Sequence, residues 1–202
     1  MATYHWLGHA SFKLKGAGLT IYIDPYQLKS TEPADIICVT HSHSDHFSIE
    51  DIQKILKPDT IILATPDCKG LKAPIIPIKP GDKKEIKGVT IEAVPAYNIN
   101  KHFHPQERQF VGYLITLEGA RFYHAGDTDL IPEMSQIKAD IAFLPVGGKY
   151  TMTALEAAKA ANLIKPNLVV PMHWGSIIGS QQDAETFKQE TQVPVEIPKL
   201  ES

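Results

Sequence analysis

Residues 41–46 read His41-Ser42-His43-Ser44-Asp45-His46, three imidazoles and one carboxylate within six positions. They follow an apolar run, Ile36-Ile37-Cys38-Val39-Thr40, that predicts a buried strand. The polar cluster therefore opens the loop at that strand's end. In extended backbone His41 and His43 point the same way and can pinch one cation. Asp45 and His46 come after a turn, within reach of a second position a few ångström away. Neutral imidazole and ionised carboxylate are ligands for zinc, iron or manganese. The plain alternative is a solvated loop that happens to be His-rich, and its place directly after a buried strand argues against that.

Three further polar clusters each follow an apolar strand. Asp127 comes after Phe122-Tyr123-His124, Gly147-Gly148-Lys149-Tyr150 after residues 141–146, and His173 after residues 168–170. Loops at one end of a sheet converge, so residues this far apart in sequence can meet. Taken singly, Asp127 fits a turn aspartate and His173 a core histidine beside Trp174; the first motif shifts both towards a metal site. Residues 95–109 form the longest irregular polar stretch, and a loop of that length in a compact domain is usually functional. Asp24, before Pro25, reads as an orienting or turn residue. His9, after Gly8 in a strand corner, reads as a hydrogen-bonded structural histidine. Ser42 and Ser44 lack a Gly-x-Ser-x-Gly elbow and read as small spacers.

The His-x-His-x-Asp-His signature, with Ala125-Gly126-Asp127-Thr128 and Pro171-Met172-His173-Trp174-Gly175 as later landmarks, resembles the metallo-β-lactamase-fold hydrolases. The resemblance spans nearly the whole chain and lies nearest the small, stand-alone lactonase-like and phosphodiesterase-like members. It implies a four-layer α/β/β/α sandwich, an α+β fold with two mixed sheets and helices on the outer faces. Periodicity alone gives one α/β or α+β domain over residues 1–202. The resemblance further implies that His41 and His43 bind a first metal, that Asp45, His46 and His173 bind a second, and that Asp127 bridges the two. The family pattern adds a mid-chain histidine to the first metal, where this chain reads Pro95-Ala96-Tyr97-Asn98. Asn98 offers a carbonyl oxygen, a harder ligand than imidazole. His104, fixed by Pro105, is the preferred substitute, and His102 is the other histidine of the loop. If neither serves, the site holds one ion or a labile first one.

Two divalent transition-metal ions are therefore expected, zinc first, with manganese or iron as the alternatives. Such ions acidify water into a nucleophile and polarise a carbonyl or phosphoryl oxygen. Asp45 fits the task of orienting that nucleophile. His104, Tyr150 or a metal-bound water could protonate the leaving group, and Lys149 with Tyr150 could hold an anionic substrate. The expected activity is hydrolysis of a small ester, lactone or phosphodiester. Two other classes stand beside it: a di-iron redox or metal-sensing module without hydrolytic activity and, more weakly, a nuclease.

Composition narrows the field. With 202 residues, 43% hydrophobic and 21% charged, the chain can build one substantial core. A net charge of −3 gives no basic footprint for nucleic acid and no polybasic membrane segment. No apolar stretch is long enough to span a bilayer, and the first residues lack a signal-peptide layout. Cys38 and Cys68 show no C-x-x-C spacing and read as two reduced thiols. A cytoplasmic protein acting on a small molecule is expected, with its oligomeric state open. Strand patterns cover residues 4–7, 11–14, 19–23, 60–64, 75–78, 84–86, 89–94, 111–117, 121–124, 140–146 and 168–172, with a closing strand at 193–197. Helices are predicted from the Ser48 N-cap to Leu56, from the Thr153-x-x-Glu156 capping box to about Ile164, and over 183–190.

Overall fold

A computed structural model of the chain describes residues 1–29 and 31–201. The first six-stranded sheet runs in chain order: β1 (Thr3–Gly8), β2 (Ser11–Gly16), β3 (Leu19–Ile23), β4 (Ile36–Val39), β5 (Ile61–Ala64) and β6 (Ile75–Pro77). Its first three strands form an antiparallel meander, and β3 to β6 run parallel. The second sheet repeats the plan with β7 (Lys83–Ile86), β8 (Val89–Pro95), β9 (Val111–Leu117), β10 (Ala120–His124), β11 (Ile141–Pro145) and β12 (Leu168–Met172). Here the meander covers β7 to β10 and the parallel half β10 to β12. The two mixed sheets and three helices make the α+β sandwich that the resemblance implies.

Side-chain alternation along the parallel strands builds the layers. Ile21, Ile23, Ile36, Cys38 and Leu63 belong to the main core between the sheets. Their neighbours Tyr22, Ile37, Val39, Ile62 and Ala64 face the other way and cluster with Ile52 and Ile55 of α1 (Ile49–Ile55). On the second sheet, α2 (Ala154–Ile164) packs against β11 and α3 (Gln181–Glu190) against β12. Ser48 caps α1 through the Asp51 amide, and Thr153 with Glu156 forms the expected capping box on α2. A second box, Ser180 with Asp183, starts α3 two residues before the predicted helix. Residues 193–197 do not form the predicted closing strand; only Val195 bridges, to Val169. Pro194 lacks the amide hydrogen that a strand there would need.

The sheets are locked to each other on either side of the strand ends that carry the polar clusters. The Tyr113 hydroxyl donates to Val39 O (2.8 Å) and the Val111 amide to Thr40 O (3.2 Å). The His173 amide donates to His9 O (2.9 Å). Between the sheets Phe12 of β2 stacks on Phe143 of β11, with ring centroids 4.0 Å apart, and Tyr4 meets Phe143 edge-on at 5.3 Å. Among the described residues no helix is long and apolar enough to cross a membrane. Cys38 and Cys68 are free and buried, and burial pushes the Cys68 thiol up to about 12. Phe143→Ala should cost about 3–5 kcal/mol, read as a lower urea midpoint, because it opens a cavity where the sheets meet; a loss below about 1 kcal/mol would mean that this stack does not hold them.

Candidate metal centre

Every polar cluster singled out in the sequence sits at the same end of the sandwich. Asp24 follows β3, His41 to His46 follow β4, Asp127 follows β10, Tyr150 lies beyond β11 and His173 follows β12. Asp24 is fully buried and its carboxylate has three donors. Oδ1 accepts from the Thr40 amide (2.8 Å), and Oδ2 accepts from the Thr40 hydroxyl (2.7 Å) and His46 Nδ1 (2.7 Å). Since the Thr40 hydroxyl spends its hydrogen on Asp24, its oxygen accepts from His41 Nδ1 at 3.0 Å. In their neutral forms both imidazoles then present a bare Nε2 to the cluster.

Three groups of side chains each bring their ligand atoms within 4.8 Å of one another: His41 with His43 and His104; His9 with Asp45, His46 and His173; and His41 with His46 and Asp127. In the first group, His43 Nδ1 lies 3.0 Å from His41 Nε2 and 3.3 Å from His104 Nε2. In the second, Asp45 Oδ2 lies 3.0 Å from His9 Nε2, 3.5 Å from His46 Nε2 and 3.8 Å from His173 Nε2. Asp127 stands between the groups. Its Oδ1 is 3.3 Å from His46 Nε2, and its Oδ2 is 3.3 Å from His104 Nε2 and 3.1 Å from His173 Nε2. Gly126, at φ +65°, makes this possible: a Cβ there would sit 2.7 Å from Val111 O.

The charge states suit cations. Burial, together with His46, pushes the His41 imidazole well below its ordinary value, and burial with His104 lowers His43. Burial would raise the Asp127 carboxyl, but His173 and His46 hold it well below the usual range. Burial would likewise raise Asp45, and the His9 hydrogen bond together with the charges of His46 and His9 holds it below its ordinary range. His46 runs the other way, because the Asp127 and Asp24 carboxylates overcome the lowering that burial alone would cause. His46 Nε2, Asp127 Oδ1 and both ring nitrogens of His173 are buried with no hydrogen-bond partner of adequate geometry. Each such orphan costs about 1–3 kcal/mol, so four together are a costly way to build a core and a natural way to build a metal centre.

The long loop brings one of its candidate residues, His104, to the cluster. Asn98 Oδ1 accepts from both the amide and Nδ1 of His104 (3.0 and 3.1 Å), while its Nδ2 donates to Asp129 Oδ1 and Tyr150 O. The Asn98 amide is thus spent on orienting His104, and His104 reaches the cluster. His102 is exposed and belongs to none of the three groups. Tyr150 lines a cavity in front of the cluster with Ser44, Asp45 and Asp127, and Lys149 does not. Ser42 donates to Asp67 Oδ2 at 2.6 Å, away from any nucleophilic duty.

Comparison with known proteins follows the same line. A family model described as a β-lactamase superfamily domain matches residues 3–173. A UPF0173 metal-dependent hydrolase of Caldivirga maquilingensis is 35% identical, with 95% of this chain and 90% of the relative covered. The chain belongs to this family. It is a metal-dependent hydrolase of the metallo-β-lactamase fold, and its His/Asp cluster is the metal-binding feature of that fold in this chain. A crystal structure assigned as a metal-dependent hydrolase from Parabacteroides distasonis superposes with a TM-score of 0.89 at 36% identity, covering 99% of this chain and 94% of that one. Igni18, a metallo hydrolase from Ignicoccus hospitalis, gives 0.83 at 26% identity, covering 100% and 97%. Hydrolysis, rather than redox or sensing duty, is the chemistry this family's names carry.

Two parts of the hydrolase site were hidden in its sequence. His9 is hydrogen-bonded, as read, but its partner is Asp45, and its ring lies 4.0 Å from that of His173. The signal was there in backbone form: His9, Asp24 and His173 all adopt positive φ (50°, 48° and 60°), an uncommon state for residues other than glycine and one found at functional sites. Thr40 was counted only as the last residue of a strand. Asp24→Asn tolerates the same backbone but has a single acceptor oxygen, so its NH2 must face either the Thr40 amide or the Thr40 hydroxyl and His46 Nδ1, donor against donor. Zinc affinity, measured by competition with a chelating dye, should fall about 10–100-fold with the far-UV spectrum unchanged. Unaltered affinity would show that Asp24 does not orient the site.

Proposed function

We propose that this chain holds two divalent transition-metal ions, zinc by preference, and uses them to hydrolyse a small ester, lactone or phosphodiester. His41 Nε2, His43 Nδ1 and His104 Nε2 would hold the first ion, and Asp45, His46 Nε2 and His173 Nε2 the second. Asp127, with one oxygen towards His46 and the other towards His104 and His173, would serve both. The observation that carries this reading is the convergence of these nitrogen and carboxylate atoms, several of them buried without hydrogen-bond partners. A set rich in neutral imidazole favours zinc over harder cations. When bound, the ions supply a water acidified to near-neutral pKa and polarisation of the electrophilic oxygen.

The chain's own residues do the rest. Asp45, held at Oδ2 by His9, is the carboxylate beside the cavity that orients the attacking water. His104 has both ring nitrogens committed, Nδ1 to Asn98 and Nε2 to the cluster. That leaves the Tyr150 hydroxyl as the side-chain donor for the departing oxygen. Phe110, with its ring centroid 5.0 Å from that of His41, closes off the back of the first group from water. The partner is a small molecule, not nucleic acid, and two free buried thiols fit a cytoplasmic setting.

The test is turnover of p-nitrophenyl acetate, a simple lactone and bis(p-nitrophenyl) phosphate by the zinc-loaded protein. Activity should stop with chelator and return with zinc. Asp127→Ala should lose more than the roughly 100-fold that removal of an orienting partner costs, and should release metal with the fold intact. Turnover that survives the chelator, or wild-type rates in Asp127→Ala, would contradict the metal-assisted reading.

A further inference from the structure

The cavity in front of the cluster has a volume of about 240 Å³. It is smaller than the roughly 300 Å³ of a drug-sized site, so it suits a compact substrate. One side is the chemistry: His43, Asp45, His104 and Asp127. The other side is formed by Phe103, Tyr150 and Ile177, brought from three separate loops. Phe103 and Ile177 keep 43% and 50% of their surface exposed, although the fold buries most of its large hydrophobic side chains. Phe103 meets the Tyr150 ring edge-on, with centroids 4.6 Å apart, so this wall is packed.

Charge is as informative as shape. No lysine or arginine lines the cavity. The cations nearby in sequence are engaged: Lys101 Nζ lies 2.5 Å from Asp129 Oδ1, Arg108 pairs with Asp67 and lies over Phe110, and Lys149 Nζ sits 5.1 Å from the centre of the Tyr150 ring. A substrate with an anionic arm would meet two aromatic rings and an isoleucine where it needs a counter-charge. An apolar arm would cover surface that the fold otherwise leaves in water.

We infer that the substrate is an uncharged carboxylic ester or lactone whose acyl side carries an apolar alkyl or aryl arm, seated against Phe103, Tyr150 and Ile177. This rests on the hydrolytic reading above and selects within it. Hydrolysis joins the water's hydroxyl to the acyl carbon, breaks the acyl C–O bond and returns the water's other proton to the departing alkoxide. The acyl arm faces the apolar wall while the carbonyl faces the cluster.

The experiment compares p-nitrophenyl acetate, hexanoate and phenylacetate with bis(p-nitrophenyl) phosphate on the zinc-loaded full chain. Partial burial of four added methylenes should raise kcat/KM from acetate to hexanoate by about tenfold or more. Phe103→Ser and Ile177→Ser should each lower hexanoate turnover several-fold more than acetate turnover. Leu163→Ser removes a comparably exposed side chain from α2, far along the chain from the cavity, and should change neither rate. Equal rates for acetate and hexanoate, or faster cleavage of the anionic phosphodiester, would overturn the inference while leaving a hydrolase. A separate readout needs no turnover: in chelator-treated protein, hexanamide should shift the NMR signals of Phe103, Tyr150 and Ile177. If no probe is cleaved, the hydrolytic reading fails, and these shifts decide alone: present, they uphold the apolar subsite; absent, they overturn it.

Discussion

A carboxylate with no exposed surface needs donors for its oxygens, and the way Asp24 meets that need sets up the site. Its three donors come from Thr40 and His46, which bracket the His-x-His-x-Asp-His motif. Were the Thr40 hydroxyl free to turn, it could donate to His41 Nδ1 and leave the hydrogen on Nε2, where a ligand needs a lone pair. Asp24 prevents that, and it fixes His46 directly. One buried acid at the end of β3 thereby determines which nitrogen faces the cluster in two histidines of different groups. The left-handed backbone at Asp24, His9 and His173 costs roughly 1–3 kcal/mol per residue, and the packed sheets beneath must absorb it.

The second support comes from the loop after β10. Asp127 enters the cluster, and Asp129, two residues on, holds the long loop that delivers His104. Its oxygens accept from Asn98 Nδ2 and Lys101 Nζ at 3.1 and 2.5 Å and from the Ile99 amide at 2.9 Å. Asn98 then takes the amide and ring of His104. One short segment thus supplies the carboxylate between the groups and anchors a histidine of the first. The tight approach of Gly147 to His173 O, where a Cβ would lie 2.6 Å away, closes the ring of loops on the other side.

The fold was legible wherever local signals were strong. The apolar run before the motif and the Ser48 and Thr153 caps appear as read, because backbone preference and burial pattern agree there. Residues 193–197 were misjudged because an alternating pattern outweighed Pro194, which removes a ladder donor. The motif itself could be read because its members are adjacent. What lay hidden depends on distant partners: His9 meets Asp45 across 36 positions, and Asn98 meets Asp129 and Tyr150 only in the fold. Phe103 and Ile177 gave no signal at all, since an exposed apolar residue in a loop means nothing until it faces a site.

We propose that this scaffold holds two ions in the places its side chains define. Anomalous diffraction from crystals of the zinc-loaded protein tests it directly. Two peaks should appear, one about 2.0–2.1 Å from His41 Nε2, His43 Nδ1 and His104 Nε2, the other at that distance from His46 and His173, with an Asp127 oxygen on each. A single peak with His104 turned away, or peaks only at surface residues, would contradict the account.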